Sequence, residues 1–291
     1  MGEDASSVMA APGPERFEGR QLSRFTWDQR IERARQLAQT CASASELLRF
    51  YEQLAGFQKS LYEKCQTGDP AFSRSEALGN FADLLADSAQ TEFLLTHYPD
   101  FLRLVASAAP EPLAAAAQEL LPGDREHWRA LLIKFCHRTH SSEAELFLGL
   151  AYLQPCAEWA IERVPISPRP ASPVCPGCGA EAVCGVLRPE GHGARRSLIC
   201  SLCANEWHFP RVVCFACNEK RADALPAFTA EQEFEHVRIE ACDTCKHYIK
   251  TVDLTKNGLA VPVVDEVASI SLSLWAQEKG YRKVQPNLFG L

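Results

Sequence analysis

The chain reads CPGC at 175–178, CSLC at 200–203, CFAC at 214–217 and CDTC at 242–245. Each motif places two thiolates three residues apart, so that one tight turn can present both to a single metal ion. Two such turns complete a tetrahedral site of four sulfurs, and four turns therefore supply two sites. The eight candidate ligands are Cys175, Cys178, Cys200, Cys203, Cys214, Cys217, Cys242 and Cys245.

Pairing the first motif with the second and the third with the fourth gives two ribbon modules in series. The gaps between consecutive motifs are 21, 10 and 24 residues, and the first and last of these are slightly longer than the roughly 15–20 residues that usually separate the two motifs of a zinc ribbon. Interleaved pairings stay open at this point. Gly179 follows the first motif and allows the backbone conformation that a metal knuckle needs after its second cysteine. A disulfide framework would need an oxidising compartment, which nothing in the sequence suggests.

The composition indicates a globular chain without the charge of a general nucleic-acid-binding protein. The chain has 291 residues, 46% of them hydrophobic, and a net charge of −7, which is enough for two domains with real cores. Residues 171–291 carry 13 basic and 14 acidic side chains. Because nucleic-acid binding normally needs a basic face, we expect no nucleic-acid partner.

Cysteines outside the motifs are predicted to be buried free thiols of a reducing cytosol, because they are irregularly spaced among apolar residues. Cys184 could instead act as a substitute ligand. A Cys/His site near Cys136, with His137 and His140, is conceivable, although a position on the flank of a helix explains these histidines more simply. The five cysteines are Cys41, Cys65, Cys136, Cys156 and Cys184.

The chain is predicted to divide at a proline-rich linker, residues 164–174. Four prolines in this segment exclude helix and favour a semi-rigid spacer. Residues 1–20 are predicted to be a flexible tail, residues 21–163 a helical domain, and residues 175–291 a domain of metal modules. The expected fold class is α+β: an N-terminal all-helical domain, then two tandem zinc-ribbon or rubredoxin-like modules and a terminal helix.

The helical domain is predicted from helical spacing of apolar residues and from the dominance of Ala, Leu, Glu and Gln. Thr26 and Gln29 form a capping box. After the first two helices, further segments are expected near residues 75–88, 90–96, 98–108, 111–121, 124–139, 142–153 and 155–163. Short strands around the cysteine motifs are expected at 182–187, 197–200, 204–213, 234–240 and 248–252, followed by a helix at 265–276.

The residues around the cysteines resemble the formate dehydrogenase accessory protein FdhE family. The resemblance is carried by the runs Cys200–His208, Arg211–Cys217 and Glu240–Lys250, and it extends over Val264–Leu272 and Gly280-Tyr281. Generic zinc ribbons share the cysteines but lack the Glu-Trp-His and His-Tyr-Ile-Lys neighbours. The similarity is dense across this half of the chain and weaker over the helical half.

The resemblance implies a cytoplasmic assembly factor that is not an enzyme. FdhE-like proteins act on the catalytic subunit of respiratory formate dehydrogenase before its export and are needed for an active enzyme. Their cysteine pairs hold iron in rubredoxin-like sites, which implies two iron ions here with the eight cysteines as ligands. Zinc is the alternative, because four-sulfur sites suit both metals. One departure from the family is Asp265-Glu266, where two aspartates are common.

The chemistry of a four-thiolate site also argues against an enzyme. A metal held by four thiolates has no open position for water, so hydrolytic catalysis is not expected. Arg211 and Lys246 could offset the negative charge of such a site or form ordinary surface ion pairs. Glu206, Trp207 and His208 form a candidate partner contact, because Trp is enriched in binding hot spots. Alternatively, Trp207 packs beneath a ribbon and His208 is exposed.

Two other functions compete with the assembly factor. One is a zinc-ribbon protein that binds nucleic acid or the transcription machinery, and the other is an electron-transfer protein whose iron cycles during turnover. We expect a cytoplasmic location, because no secretory signal or apolar span long enough for a bilayer is present. A homo-oligomer is compatible with the sequence.

Overall fold

The computed structural model describes residues 25–67, 88–139, 141–163, 165–167, 169, 171–230 and 233–290. The predicted tail at 1–20 lies outside these residues, as does nearly all of the predicted helix at 75–88. Within the described part, six helices precede the sheet: α1 (Trp27–Thr40), α2 (Ser45–Thr67), α3 (Ser88–Ala108), α4 (Glu111–Leu120), α5 (Arg125–Cys136) and α6 (Glu143–Ile161).

Helix α1 begins at the predicted capping box. The Thr26 Oγ1 accepts a hydrogen bond from the Gln29 backbone N–H at 3.2 Å, and the Gln29 side chain accepts one from the Thr26 N–H at 2.8 Å. These bonds satisfy two donors that the helix itself leaves without partners. The sequence prediction of this helix start is confirmed.

Two prolines lie inside helices that the sequence predicted as pairs of separate segments. The segments expected at 90–96 and 98–108 form the single helix α3, which contains Pro99. Those expected at 142–153 and 155–163 form α6, which contains Pro155 and is buried along most of its length. An internal proline destabilises a helix by about 3 kcal/mol. Burial of each large apolar side chain stabilises the folded protein by roughly 1.5–3 kcal/mol. Packing around α6 therefore outweighs the tendency of Pro155 to end the helix.

The second half of the chain forms one seven-stranded sheet. Its strands are β1 (Ala182–Glu190), β2 (Gly193–Cys200), β3 (Glu206–His208), β4 (Ala227–Thr229), β5 (Val237–Ala241), β6 (His247–Asp253) and β7 (Arg282–Lys283). The order is β3-β2-β1-β6-β5-β4, and β7 also pairs with β6. The antiparallel pairs β1–β2 and β5–β6 are the hairpins of the two metal modules.

The two modules join through parallel pairing of β1 with β6, in which Gly185 lies opposite Thr251. A Cβ atom on Gly185 would lie 2.4 Å from the Thr251 Oγ1. Glycine is therefore required where the two strands meet. The sequence predicted the modules in series, and the structure shows them as halves of one sheet.

The predicted C-terminal helix at 265–276 is two short helices, α7 (Pro262–Ala268) and α8 (Ile270–Glu278). The break falls at Ser269, whose Oγ donates to the carbonyls of Asp265 and Glu266. The buried Lys250 also donates to the carbonyls of Glu266 and Ser269. Carbonyls at the end of α7 thus accept side-chain hydrogen bonds, which compete with continuation of the helix.

Helices and sheet bury apolar side chains in common clusters. One cluster joins α6 to the first two cysteine motifs, and the other joins α1 and α2 to β1, β5 and α7. The domain boundary at 164–174 stays a prediction. No helix in the described residues is both long and apolar enough to cross a membrane.

Candidate metal centres

All four cysteine motifs adopt the same backbone turn. In each, the N–H of the first cysteine donates to the carbonyl five residues later, at 2.8–3.0 Å. The residue four positions after the first cysteine has a positive φ in every case: 74° at Gly179, 49° at Ala204, 62° at Asn218 and 58° at Lys246. Sequence reasoning identified Gly179 and missed the other three, although their equivalent position in each motif was a usable signal.

The structure groups the first motif with the second and the third with the fourth, which is one of the pairings that the sequence left open. Within each group, all four sulfurs lie within 4.8 Å of one another. In the first cluster the Sγ atoms of Cys178 and Cys200 are 3.4 Å apart, and those of Cys178 and Cys203 are 3.5 Å apart. In the second cluster, the Cys214–Cys245 and Cys217–Cys242 separations are both 3.7 Å.

These separations fit one metal ion per cluster. Four sulfurs placed 2.3 Å from a central ion form a tetrahedron with edges of about 3.8 Å. Burial raises the pKa of the Cys200 and Cys203 thiols well above their ordinary range. Four sulfurs in mutual contact become thiolates together only when a cation balances their charge. Both clusters could therefore hold a metal ion.

Backbone and side-chain N–H groups point at the sulfurs. In the first cluster, Gly177 donates to the Cys175 sulfur and Leu202 to the Cys200 sulfur, both at 3.4 Å. The buried Asn205 side chain adds a donor, with its Nδ2 3.7 Å from the Cys175 Sγ. In the second cluster, Ala216 donates to the Cys214 sulfur at 3.3 Å. Such donors stabilise thiolate charge and orient the ligands.

The other sulfur and imidazole groups stay apart from these clusters. Cys184 is buried in the apolar core, and Cys65 and Cys156 form a buried pair with sulfurs 3.5 Å apart. Burial raises the pKa of the Cys136 thiol to about 12. His137 is exposed at the end of α5, and His140 lies outside the described residues. Within the described ranges, three or more potential ligands converge in the two four-cysteine clusters alone.

The candidate partner residues are divided between core and surface. Trp207 is 6% exposed, and its Nε1 donates to the Ser172 carbonyl at 2.9 Å. Glu206 forms an ion pair with Arg188 at 2.9 Å. His208 is exposed. The packing of Trp207 matches the alternative that the sequence left open, and the role of these residues in partner binding stays a prediction.

The two candidate charge-balancing cations are both exposed. Lys246 forms an ion pair with Asp243 at 2.6 Å, which is an ordinary surface pair. Its backbone has the positive φ of the fourth turn, so this position serves the geometry of the second cluster through its main chain. Arg211 lies between the second and third motifs.

Comparison with known proteins places this geometry in one family. The family models named "FdhE, central domain" and "FdhE, C-terminal domain" match residues 174–211 and 212–289. The point where one match ends and the next begins separates the second cysteine motif from the third. Each model therefore contains one complete cluster.

Relatives and a solved structure extend the similarity over the helical half. A "Protein FdhE homolog" of Aquifex aeolicus is 32% identical over 68% of this chain and 70% of the relative. One of Pseudomonas putida is 30% identical over 89% of this chain and 85% of the relative. The crystal structure of the FdhE protein from Pseudomonas aeruginosa shares the fold, with a TM-score of 0.73, 24% identity, and coverage of 92% of this chain and 97% of that chain. The chain belongs to the FdhE family.

Proposed function

We propose that this chain is an accessory protein for the maturation of respiratory formate dehydrogenase. In this proposal it binds the catalytic subunit in the cytoplasm and is needed for an active enzyme. Membership of the FdhE family supports the role. The observation that carries the proposal is the pair of four-cysteine clusters, one in each of the segments that match FdhE.

The eight cysteines hold two metal ions, one per cluster, and iron is our assignment. Iron held by four thiolates changes between ferrous and ferric states and can carry one electron, whereas zinc would be purely structural. Zinc is the alternative because its ligand preferences are met by the same sulfurs. The backbone N–H donors hold the thiolates of the first cluster in place, and three of its four cysteines are buried.

The chain acts by binding rather than by catalysis in this proposal. Each cluster supplies four sulfur ligands. These occupy all four positions of a tetrahedral ion and leave none for a substrate or a water molecule. The helices and the exposed rim of the sheet offer the surface for the partner. His208 at the end of β3 is the exposed member of the predicted contact.

Metal analysis of anaerobically purified protein tests the metal assignment. We expect two iron ions per chain, and the visible absorption of a ferric thiolate after oxidation with ferricyanide. A Cys214→Ser/Cys217→Ser variant should retain one. Two zinc ions and no iron, in protein taken from its native host, would contradict iron as the resident metal.

Co-purification tests the partner. A tagged chain is expressed in its native host during formate respiration, recovered without oxygen, and analysed by mass spectrometry. We expect enrichment of the formate dehydrogenase catalytic subunit, and its loss in the Cys214→Ser/Cys217→Ser variant. The matched control is Cys41→Ser, which changes a half-buried cysteine outside both clusters. Enrichment of nucleic acid or RNA polymerase instead would favour the zinc-ribbon alternative.

A further inference from the structure

Helix α6 and the segment after it cover the first cluster at both of its turns. A Cβ atom on Gly177 would lie 2.4 Å from the Ile161 Cδ1 and 3.3 Å from the Ile166 Cδ1, so the first turn touches these side chains directly. At the second turn, the Gln154 Nε2 donates to the Ser201 carbonyl at 2.7 Å. Each turn of the first cluster is thus held against the helical region.

This cover leaves the first cluster with little access to solvent. Cys175 is 1% exposed, Cys200 is 2% exposed and Cys203 is fully buried, while Cys178 is half-buried. All three buried cysteines belong to the apolar cluster that contains α6. Apart from the side of Cys178, a ligand from solution can reach an ion here only after the helices move away from the sheet.

The second cluster is supported by its own turns and by the C-terminal segment. The Thr244 hydroxyl donates to Glu219 at 2.7 Å, which joins the third turn to the fourth. The Tyr281 hydroxyl donates to Asp243 at 2.9 Å. Cys217 is exposed and Cys245 is half-buried. One thiolate of this cluster therefore faces solvent in the folded protein.

We propose that the second cluster exchanges its metal ion with ligands in solution, whereas the first cluster retains its ion as part of the packed core. The proposal rests on the proposed function insofar as both clusters bind metal. The competing ligand is a soft donor, a thiolate or a nitrogen chelator. Its bond to the ion forms as the bond to the Cys217 sulfur breaks, the released thiolate takes up a proton from water, and no oxidation state changes.

A chelator competition on the full chain tests the proposal. The protein is loaded with two equivalents of zinc without oxygen and mixed with excess 4-(2-pyridylazo)resorcinol, whose zinc complex is coloured. We expect one equivalent to leave about tenfold or more faster than the other, because the slow one waits for local opening. The Cys214→Ser/Cys217→Ser variant should release the slow equivalent alone.

A second variant probes the cover itself. Gly177→Ala forces a methyl group against Ile161 and should speed the slow phase severalfold, with no change in the fast phase. The matched control is Gly56→Ala in α2, where an added Cβ meets nothing within 4 Å and both rates should be unchanged.

Three outcomes are decisive. Release of both equivalents at one rate in the unaltered protein would overturn the proposal, and so would a fast equivalent that persists in the Cys214→Ser/Cys217→Ser variant. A chain that takes up no metal would instead contradict the proposed metal binding, before any exchange is measured.

Alkylation by iodoacetamide is an independent measurement of access to the two clusters. Peptide mass spectrometry should show Cys217 modified before Cys200 and Cys203.

Discussion

The first cysteine cluster has three buried cysteines and no exposed one, whereas the second exposes Cys217, although all four turns share the same backbone hydrogen bond and one left-handed residue. Gly177 in the first turn corresponds to Ala216 in the third, yet Gly177 contacts a buried isoleucine and Ala216 is exposed. The motif therefore sets the arrangement of the sulfurs, and packing of distant helices sets their exposure.

Removal of the cysteines of each cluster in turn should have the largest effect on the stability of the protein. We expect Cys200→Ser/Cys203→Ser to abolish cooperative unfolding, because a structural metal site contributes about 10 kcal/mol or more to folding and this one lies inside the core. Cys214→Ser/Cys217→Ser should leave a cooperative transition at a lower temperature. Thermal unfolding followed by circular dichroism measures both, and equal losses would erase the distinction between the clusters.

Loss of the ion pair that joins α1 to α6 should have the second-largest effect on stability. Arg30 and Glu158 are both buried, with 2.7 Å between the Arg30 Nη1 and the Glu158 Oε1. Glu158→Ala leaves a buried guanidinium without this carboxylate and should cost about 3–5 kcal/mol of unfolding free energy. Urea denaturation measures the cost, and chelator release should show that the first ion is loosened more than the second.

The control for that variant is Glu52→Ala. Glu52 pairs with Arg35 at 2.9 Å, but the Arg35 side chain is 50% exposed. An exposed pair of this kind contributes about 0–1 kcal/mol. If Glu52→Ala costs as much as Glu158→Ala, burial of the α1–α6 pair is not what stabilises the cover of the first cluster.

A reciprocal exchange of small residues should have a moderate effect. Gly177→Ala should destabilise the protein by about 1–3 kcal/mol, because the added methyl overpacks the contact with Ile161. Ala216→Gly should cost less, about 0.5–1 kcal/mol, through backbone entropy alone. Urea denaturation measures both, and a larger cost for Ala216→Gly would contradict the difference in packing.

The smallest effect should come from the side-chain donor of the first cluster. Asn205→Ala removes the N–H that points at the Cys175 sulfur. We expect metal affinity at this cluster to fall by about 1 kcal/mol, as for loss of one hydrogen bond. Zinc competition by a calibrated chelator measures it. An equal loss at the second cluster would show that Asn205 acts through the fold as a whole.

Local sequence was enough to predict the eight clustered cysteines, one turn residue and one helix start. The four motifs predicted two clusters of four cysteines without deciding which motifs share one, Gly179 predicted a special backbone, and Thr26 with Gln29 predicted the start of α1. These features depend on residues within one turn or one hairpin. Short-range geometry controls them, so a pattern of a few residues suffices.

What the sequence did not reveal depends on contacts between distant segments. The helices that contain Pro99 and Pro155 were each predicted as two separate segments, and packing keeps them continuous. The contacts of Ile161 and Gln154 with the first cluster have no local signature, because both residues look like ordinary members of an apolar helix. Trp207 was ambiguous for the same reason, since its burial depends on what lies across from β3.

The parallel pairing of β1 with β6 has a consequence for dissection of the chain. The family matches meet between residues 211 and 212, which invites a cut there. Val186 of β1 and Val252 of β6 lie opposite each other in the sheet, so such a cut would leave each of them on a piece without its partner strand. Each piece would then present an open, apolar strand edge, the surface by which sheets adhere to one another. The halves should therefore precipitate when produced separately and remain in solution when produced together.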